Sequence, residues 1–242
     1  MKFLFCALAV FLFAWTGLSA QESKARAVVD AWFNGNSRAE RYKTLREDIL
    51  VIFSVAEKAS VPSDFLLDFL NEAAARGIEP ARVVPALRDR LDHLLTLKDL
   101  LDSRSGCLGR EPPGTAPDGE DDAPLRSLSL IQRRGVAPAV IAAILDAACR
   151  EHRTFAAALN ALKTLANIPS LNELSADRQT ALARAVLASA LTPAGYSALS
   201  SFYIKGRLKN IAAGEITDII IAALRDGKGL IRIEQEMDRR RK

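Results

Sequence analysis

Apolar residues recur at helical spacing along most of the chain. From residue 62 to 88 the sequence reads PSDFLLDFLNEAAARGIEPARVVPALR. The apolar residues from Phe65 to Ala73 fall at i, i+1, i+4, i+5 and i+8, which places them on one side of a helix. Gly77 then ends this helix and Pro80 begins the next one. The pattern therefore predicts a helical hairpin with a tight turn.

A similar pattern returns 75 positions later, at residues 137–163, which read APAVIAAILDAACREHRTFAAALNALK. His152 stands there where the first copy has Gly77. A third echo of the pattern appears near the end of the chain, where AALRD at 222–226 resembles PALRD at 85–89. Two helices with one apolar face cannot bury it alone, so such pairs stack or bundle. We therefore predict an all-α protein of helical hairpin units, forming a two-lobed bundle or an irregular helical-repeat array.

Further helices are predicted from capping signals. SRAE at 37–40 and SLNE at 170–173 both match the capping box, in which Ser and Glu side chains satisfy backbone N–H groups. We expect helices over about 38–58 and over 177–191. The final segment, LIRIEQEMDRRRK from residue 230, is also expected to be a helix, with a short strand at LIRI as the alternative.

The first twenty residues have the layout of a secretory signal peptide. Lys2 precedes the apolar run FLFCALAVFLFAW, and the small residues TGLSA separate this run from the polar QESK. The run is shorter than the roughly 20 apolar residues that a membrane span needs, so an uncleaved anchor is the disfavoured alternative. We expect cleavage after Ala20. The mature protein is then exported, periplasmic or extracellular, and has no transmembrane segment after signal removal.

The apolar pattern is interrupted at residues 103–124, which read SRSGCLGREPPGTAPDGEDDAP. Gly, Pro and acidic residues dominate this stretch, as is typical of a linker or loop. We predict an N-terminal helical lobe at 21–102, an acidic Pro/Gly-rich linker at 103–124 and a C-terminal helical lobe at 125–242. The acidic cluster at 118–122 does not have the spacing of a calcium-binding loop.

Composition and charge narrow the range of partners. The chain has 242 residues, of which 49% are hydrophobic and 26% charged, values that fit a globular protein and exclude global disorder. The formal net charge is +4, with one basic concentration at Arg239, Arg240, Arg241 and Lys242. We interpret this tail as a solvated helix end. Peripheral contact with a membrane or an anionic polymer is the alternative that we do not favour. No nucleic-acid partner is expected for an exported protein.

Cysteine and histidine chemistry leaves three alternatives. The expected mature chain contains His93, Cys107, Cys149 and His152. We predict a disulfide between Cys107 and Cys149, as expected in an oxidising compartment. Zinc ligation by the four residues and unpaired thiols are the alternatives, and His93 and Cys107 lack ligand-like spacing. The sequence contains no phosphate loop, dinucleotide fingerprint or paired-His zinc motif. We therefore assign no catalytic residue, cofactor or metal.

Three functions remain open on this basis. The leading one is a non-enzymatic scaffold or adaptor that binds another cell-envelope protein, because helical arrays present broad binding surfaces. The second is a carrier of an apolar small ligand or lipid between helices, in a pocket lined by Phe65, Phe69 and Ile144. The third is a hydrolase acting on envelope polymers. The carboxylates that such an enzyme would use are better explained as polar helix faces: Glu47, Asp48, Asp64, Asp68 and Glu72.

Overall fold

The computed structural model describes residues 24–108, 122–189, 191, 193–227 and 229–239. Every regular element in these ranges is a helix and none is a strand, which confirms the all-α prediction. Three predicted features lie wholly or partly outside the described residues: the signal peptide at 1–20, linker residues 109–121 and tail residues 240–242.

The described α-helices follow one another in chain order. They are α1 (24–35), α2 (Arg46–Lys58), α3 (Asp64–Arg76), α4 (Pro80–Asp102), α5 (Ala123–Arg133), α6 (Pro138–Arg150), α7 (Phe155–Ala166), α8 (Ala176–Ala188), α9 (Pro193–Leu208), α10 (Ala213–Arg225) and α11 (Gly229–Arg239). Two 3-10 helices, Ser37–Leu45 and Leu171–Glu173, precede α2 and α8. The last segment is therefore helical, as predicted.

The described residues with positive φ reveal a threefold repeat. They form two series whose members are 75 positions apart, each just after the end of a helix. The first series consists of Ser60, Gly135 and Asn210, which follow α2, α5 and α9. The second series consists of Gly77, His152 and Gly227, which follow α3, α6 and α10. Each repeat thus has three successive helices: α2–α3–α4, α5–α6–α7 and α9–α10–α11.

A common hydrogen bond explains these turns. After Gly77, the N–H of Ile78 donates to the carbonyl of Ala73 at 3.0 Å. After His152, the N–H of Arg153 donates to the carbonyl of Ala148 at 2.8 Å. The left-handed residue lets the following N–H reach a carbonyl of the last helical turn, and the chain then reverses.

The third copy differs in register from the echo predicted at 222–226. That echo paired residues 222–226 with 85–89, in α4, because both segments contain ALRD. The turn residues instead align α10 with α6 and α3. The third repeat therefore has a different register from the echo noted in the sequence, and the spacing of the turn residues is regular at 75 positions.

The described chain divides into two compact units, one ending at Thr96 and the other beginning at Leu97. This division lies inside α4, whereas the predicted lobe boundary lies at residue 102.

In the first unit, Tyr42 is fully buried and its hydroxyl lies 2.8 Å from the carbonyl oxygen of Ile78. This contact fastens the segment before α2 to the end of α3.

The second unit has a corresponding buried tyrosine. Thr217 donates to the carbonyl of Ala213 at 2.8 Å, so Tyr203 is the donor in its 2.7 Å hydrogen bond to Thr217. Burial raises the pKa of Tyr203 to about 12. The bond joins α9 to α10 inside the core.

Both capping-box predictions were wrong in detail. The first helix of the predicted 38–58 span begins after Asn36, whose Oδ1 accepts from the N–H of Arg38 at 3.0 Å. The nine residues after Asn36, Ser37–Leu45, form a 3-10 helix, in which side chains three residues apart share a face. Ala39 and Tyr42 have this spacing and are both buried. Before α8, Ser175 accepts from the N–H of Arg178 at 3.4 Å and caps the helix.

Candidate functional site

The candidate site is an outward stripe along α2, formed by Asp48, Val51, Val55 and Lys58 and called here the α2 stripe. Its members are spaced three, four and three residues apart, so they follow one side of a helix. The two valines are large apolar side chains left in solvent, with exposed fractions of 59% for Val51 and 43% for Val55.

The opposite side of α2 holds the stripe in place. Ile49, Ile52, Phe53 and Ala56 are buried and anchor the helix in the core of the first unit. α2 therefore has apolar residues on its outward side in addition to those on its buried side. This excess distinguishes the helix from a simple amphipathic one, in which the outward side is polar.

Opposite charges stand at the two ends of the α2 stripe. Asp48 lies in the first turn of the helix and Lys58 in the last turn, where each charge complements the helix dipole. An Arg88 guanidinium nitrogen lies 4.0 Å from an Asp48 carboxylate oxygen, and both side chains are more than half exposed. A solvent-exposed pair at this distance interacts weakly. The stripe is therefore apolar at its centre, acidic at one end and basic at the other.

The second repeat has different chemistry at the equivalent positions of α5. Leu130 corresponds to Val55 and is 52% exposed. Its neighbours along the stripe are Arg126 and Arg133, where α2 has Val51 and Lys58. The apolar pair is therefore a property of α2 and is not shared by α5.

The first helix of the third repeat, α9, again carries an apolar pair. Ile204 and Leu208 are one helical turn apart and are 52% and 80% exposed. On the adjacent flank of the same helix, Lys205 pairs with Glu234 of α11 at 2.6 Å. In the described part of the chain, both units thus carry an exposed apolar pair bordered by charged residues.

A polar cavity of about 410 Å³ lies open at the surface of the first unit. Its polar side chains are partly engaged: Trp32 donates its indole N–H to Asn71 Oδ1 at 2.8 Å, and Asn36 caps the 3-10 helix. The lining includes no carboxylate, cysteine or histidine, so it offers no acid–base pair. The lining residues are Gly35, Asn36, Ser37, Arg38, Asn71 and Ala75.

The three residues predicted to line an apolar ligand pocket occupy helix-packing positions. Phe65, on α3, and Ile144, on α6, are 3% and 0% exposed, and Phe69 is half-buried. Phe69 and Ile144 stand at equivalent positions of the first two repeats, one in each compact unit. None of the three lines the cavity described above.

The structure brings the two predicted disulfide partners together. The Sγ atoms of Cys107 and Cys149 lie at bonding distance, and their Cα atoms are 5.1 Å apart. This Cα separation is within the usual range for disulfides. A hydrogen bond from Arg104, 2.7 Å long, lowers the pKa of Asp146 beside them. The Cys107–Cys149 disulfide remains a prediction, which titration of free thiols in the unreduced protein tests.

The two histidines of the zinc alternative are exposed, His93 on α4 and His152 in the turn after α6. His93 Nε2 is 3.7 Å from an Asp89 carboxylate oxygen on α4, and His152 occupies the left-handed turn after α6. Across the described ranges, no group of three or more His, Cys, Asp or Glu side chains is arranged to hold a metal ion. Of the acidic cluster at 118–122, only Asp122 is described, just before α5.

The carboxylates considered for a hydrolase lie on outward faces of α2 and α3. Glu72 is half-buried and pairs with Arg76 at 2.9 Å, one turn along the same helix. The other members of the set are exposed: Glu47, Asp48, Asp64 and Asp68. A catalytic pair of carboxylates requires a shared, partly desolvated cleft, which exposed helix faces do not supply.

Comparison with protein-family models, with curated proteins and with solved structures finds no match for this chain. Within the part of the chain that the structure describes, no helix combines the length and the apolar character needed to cross a bilayer. Function is therefore inferred from the geometry of the chain itself.

Proposed function

We propose that this chain is an exported, non-enzymatic helical-repeat scaffold that binds another protein of the cell envelope. The docking surface is the α2 stripe: Asp48, Val51, Val55 and Lys58. The observation that supports the proposal is the exposed valine pair, with opposite charges at its two ends. Its occupant is an amphipathic helix of the partner protein.

The chemistry of the stripe defines the partner helix. Val51 and Val55 favour an apolar side chain at the centre of the contact, because burial of a valine contributes about 1.5–3 kcal/mol. Asp48 favours a basic partner residue at one end and Lys58 an acidic one at the other. These charges set the direction in which the partner helix lies. A helix that presents apolar residues at i and i+3 or i+4, between charges of opposite sign, fits this description.

The second unit supplies another contact. Ile204 and Leu208 of α9 form an exposed apolar pair comparable to that of Val51 and Val55. A partner with two docking segments gains affinity from both, since the second contact becomes intramolecular once the first has formed. Each unit alone should therefore bind more weakly than the whole chain.

Export is part of the proposal and follows from residues 1–20. An apolar run followed by small residues favours cleavage after Ala20. Protein recovered from the cell envelope should therefore begin at Gln21, as intact-mass measurement would show. Retention of Met1 on the exported protein would refute cleavage. Of the basic cluster, the structure describes Arg239, which is exposed at the end of α11 and pairs with Glu236 at 3.6 Å.

The experiment that tests the proposal is site-specific photo-cross-linking in the native cells. A photoreactive amino acid replaces Val55 in one variant and Leu130, at the equivalent position of the second repeat, in the matched control. We expect the Val55 probe to form a discrete adduct with another envelope protein and the Leu130 probe to form none at that mass. The adduct should disappear when Val51→Lys is added, because a charge then interrupts the apolar contact.

Two outcomes would overturn the proposal. An adduct between two copies of this chain, with sedimentation that shows self-association, would replace the partner by a second copy. This outcome is chemically reasonable, because Asp48 and Lys58 would also pair in an antiparallel contact of two α2 helices. Equal adducts from Val55 and Leu130 would show that the α2 stripe has no special role.

A further inference from the structure

Two side-chain links fasten the segment after α4 to α6. Arg104 Nε lies 2.7 Å from an Asp146 carboxylate oxygen, and Cys107 Sγ is at bonding distance from Cys149 Sγ. The linked residues are three apart on both sides, so the segment follows one side of α6 for about a turn. Residues 104–108, with these two links, are called here the clasp.

The clasp has little regular structure of its own. Residues 103–107 form turns, and Leu108 at the end is buried, with 3% of its surface exposed. The backbone hydrogen bonds of the clasp are local; the Cys107 N–H, for example, donates to the Arg104 carbonyl at 3.1 Å. Segments of this kind depend on a few tertiary contacts and open before the core does.

The two cysteine residues differ in exposure. Cys107 is an exposed residue in the turn, whereas Cys149 is half-buried in the last turn of α6. Thiol–disulfide exchange requires a thiolate to reach one sulfur of the bond, and exposed disulfides are the more labile class. An external thiolate can therefore approach the bond from the Cys107 side.

We propose that the Cys107–Cys149 disulfide is a reversible clasp that a dithiol reductant opens. The reductant's thiolate attacks Cys107 Sγ, the Cys107–Cys149 bond breaks, and Cys149 leaves as a thiolate that takes up a proton. The second thiol of the reductant then attacks the mixed disulfide and releases Cys107 as a thiolate, which also takes up a proton. Both cysteines of this chain are thereby reduced, and the dithiol is oxidised to its disulfide.

Opening the bond leaves the clasp with one remaining side-chain link to α6. That link is the Arg104–Asp146 pair, in which the Arg104 side chain is 18% exposed and the Asp146 side chain 50% exposed. Solvent screens the exposed carboxylate, so we expect this single pair to be too weak to hold the segment on its own. Reduction therefore detaches residues 104–108 and exposes Leu108, while the helices of the second unit stay folded.

Limited trypsin digestion of the purified full-length chain tests the clasp. Cleavage after Arg104 is followed by mass spectrometry, with and without dithiothreitol. We expect it to be at least about tenfold faster in the reduced protein, because cleavage follows the population of the open segment. The Cys107→Ser variant should be cleaved rapidly without reductant. Asp146→Asn is the matched control that keeps the disulfide, and it should stay slow until reduced.

A second readout keeps the test independent of variant folding. Amide hydrogen exchange at 104–108 in the wild-type protein should accelerate on reduction, while far-UV circular dichroism stays unchanged. Equal cleavage and exchange rates in the two redox states would overturn the proposal. So would loss of the helical signal on reduction, because the bond would then support the whole unit. Two free thiols in the unreduced, denatured mature protein would exclude the bond itself.

Discussion

Gly206 lets α9 and α10 approach closely, so an added methyl group should destabilise the second unit. A Cβ atom at this position would lie 2.5 Å from Cδ1 and 2.7 Å from Cγ1 of Ile216. Ile216 is fully buried, so it cannot move without displacing other core side chains. We expect this overpacking to cost about 2–3 kcal/mol. Alanine is favoured over glycine in a helix by about 1 kcal/mol, which leaves a net loss of about 1–2 kcal/mol for Gly206→Ala.

The assay is urea unfolding followed by far-UV circular dichroism, without reductant, so that Cys107 and Cys149 stay in their oxidised state. Adding Ile216→Val removes the closest carbon atom, so Gly206→Ala should be less harmful in that background. Gly35→Ala is the matched control, because no atom lies within 4 Å of a Cβ there. Its effect should be below about 0.5 kcal/mol. Unchanged or increased stability of Gly206→Ala would refute the close approach of the two helices.

Two further predictions concern buried and strained positions. Tyr203→Phe removes the hydrogen bond to Thr217 and should cost about 1 kcal/mol in the same unfolding assay. Because burial raises the pKa of Tyr203 to about 12, the unfolded chain loses this proton first. Stability should therefore fall as pH rises from about 10 towards about 12, and less steeply in Tyr203→Phe; parallel pH profiles would contradict this. Gly77→His should lower the free energy of unfolding and His152→Gly should raise it, each by about 0.5–1 kcal/mol, because both sites have positive φ. Urea unfolding that gives both changes the same sign would contradict their equivalence.

The helical class and the first two repeats could be predicted from the sequence because apolar spacing and helix-ending signals agree there. Pro80 and Pro138 begin helices as expected, and Gly77 ends one in the left-handed conformation. The third repeat was not aligned from the sequence, although Gly227 ends α10 as Gly77 ends α3, because its other turn residue is Asn210 where the first two repeats have Ser60 and Gly135. A turn of this kind is fixed by backbone hydrogen bonding, which several residue types can satisfy at a small cost.

The 3-10 helix and the candidate site were missed for different reasons. Ala39, Tyr42 and Leu45 are spaced by three, a period that indicates a 3-10 helix, but the charged residues between them resemble an exposed α-helix. Val51 and Val55 were not predicted as a site because apolar spacing alone does not show which apolar residues of a helix stay exposed. Their exposure depends on which face of α2 the rest of the unit covers, and this is a tertiary property.

Binding of the α2 stripe to the partner helix is tested most directly by titration calorimetry with the protein that the Val55 probe captures. Wild type, Val55→Lys and Leu130→Lys are compared, since both substitutions place the same charge at equivalent exposed positions of two repeats. We predict that Val55→Lys weakens binding at least about tenfold, which corresponds to about 1.4 kcal/mol, because the change removes the apolar contact of Val55 and places a charge in it. We predict an unchanged affinity for Leu130→Lys. Equal affinities of all three proteins, or equal losses in the two variants, would contradict docking on α2.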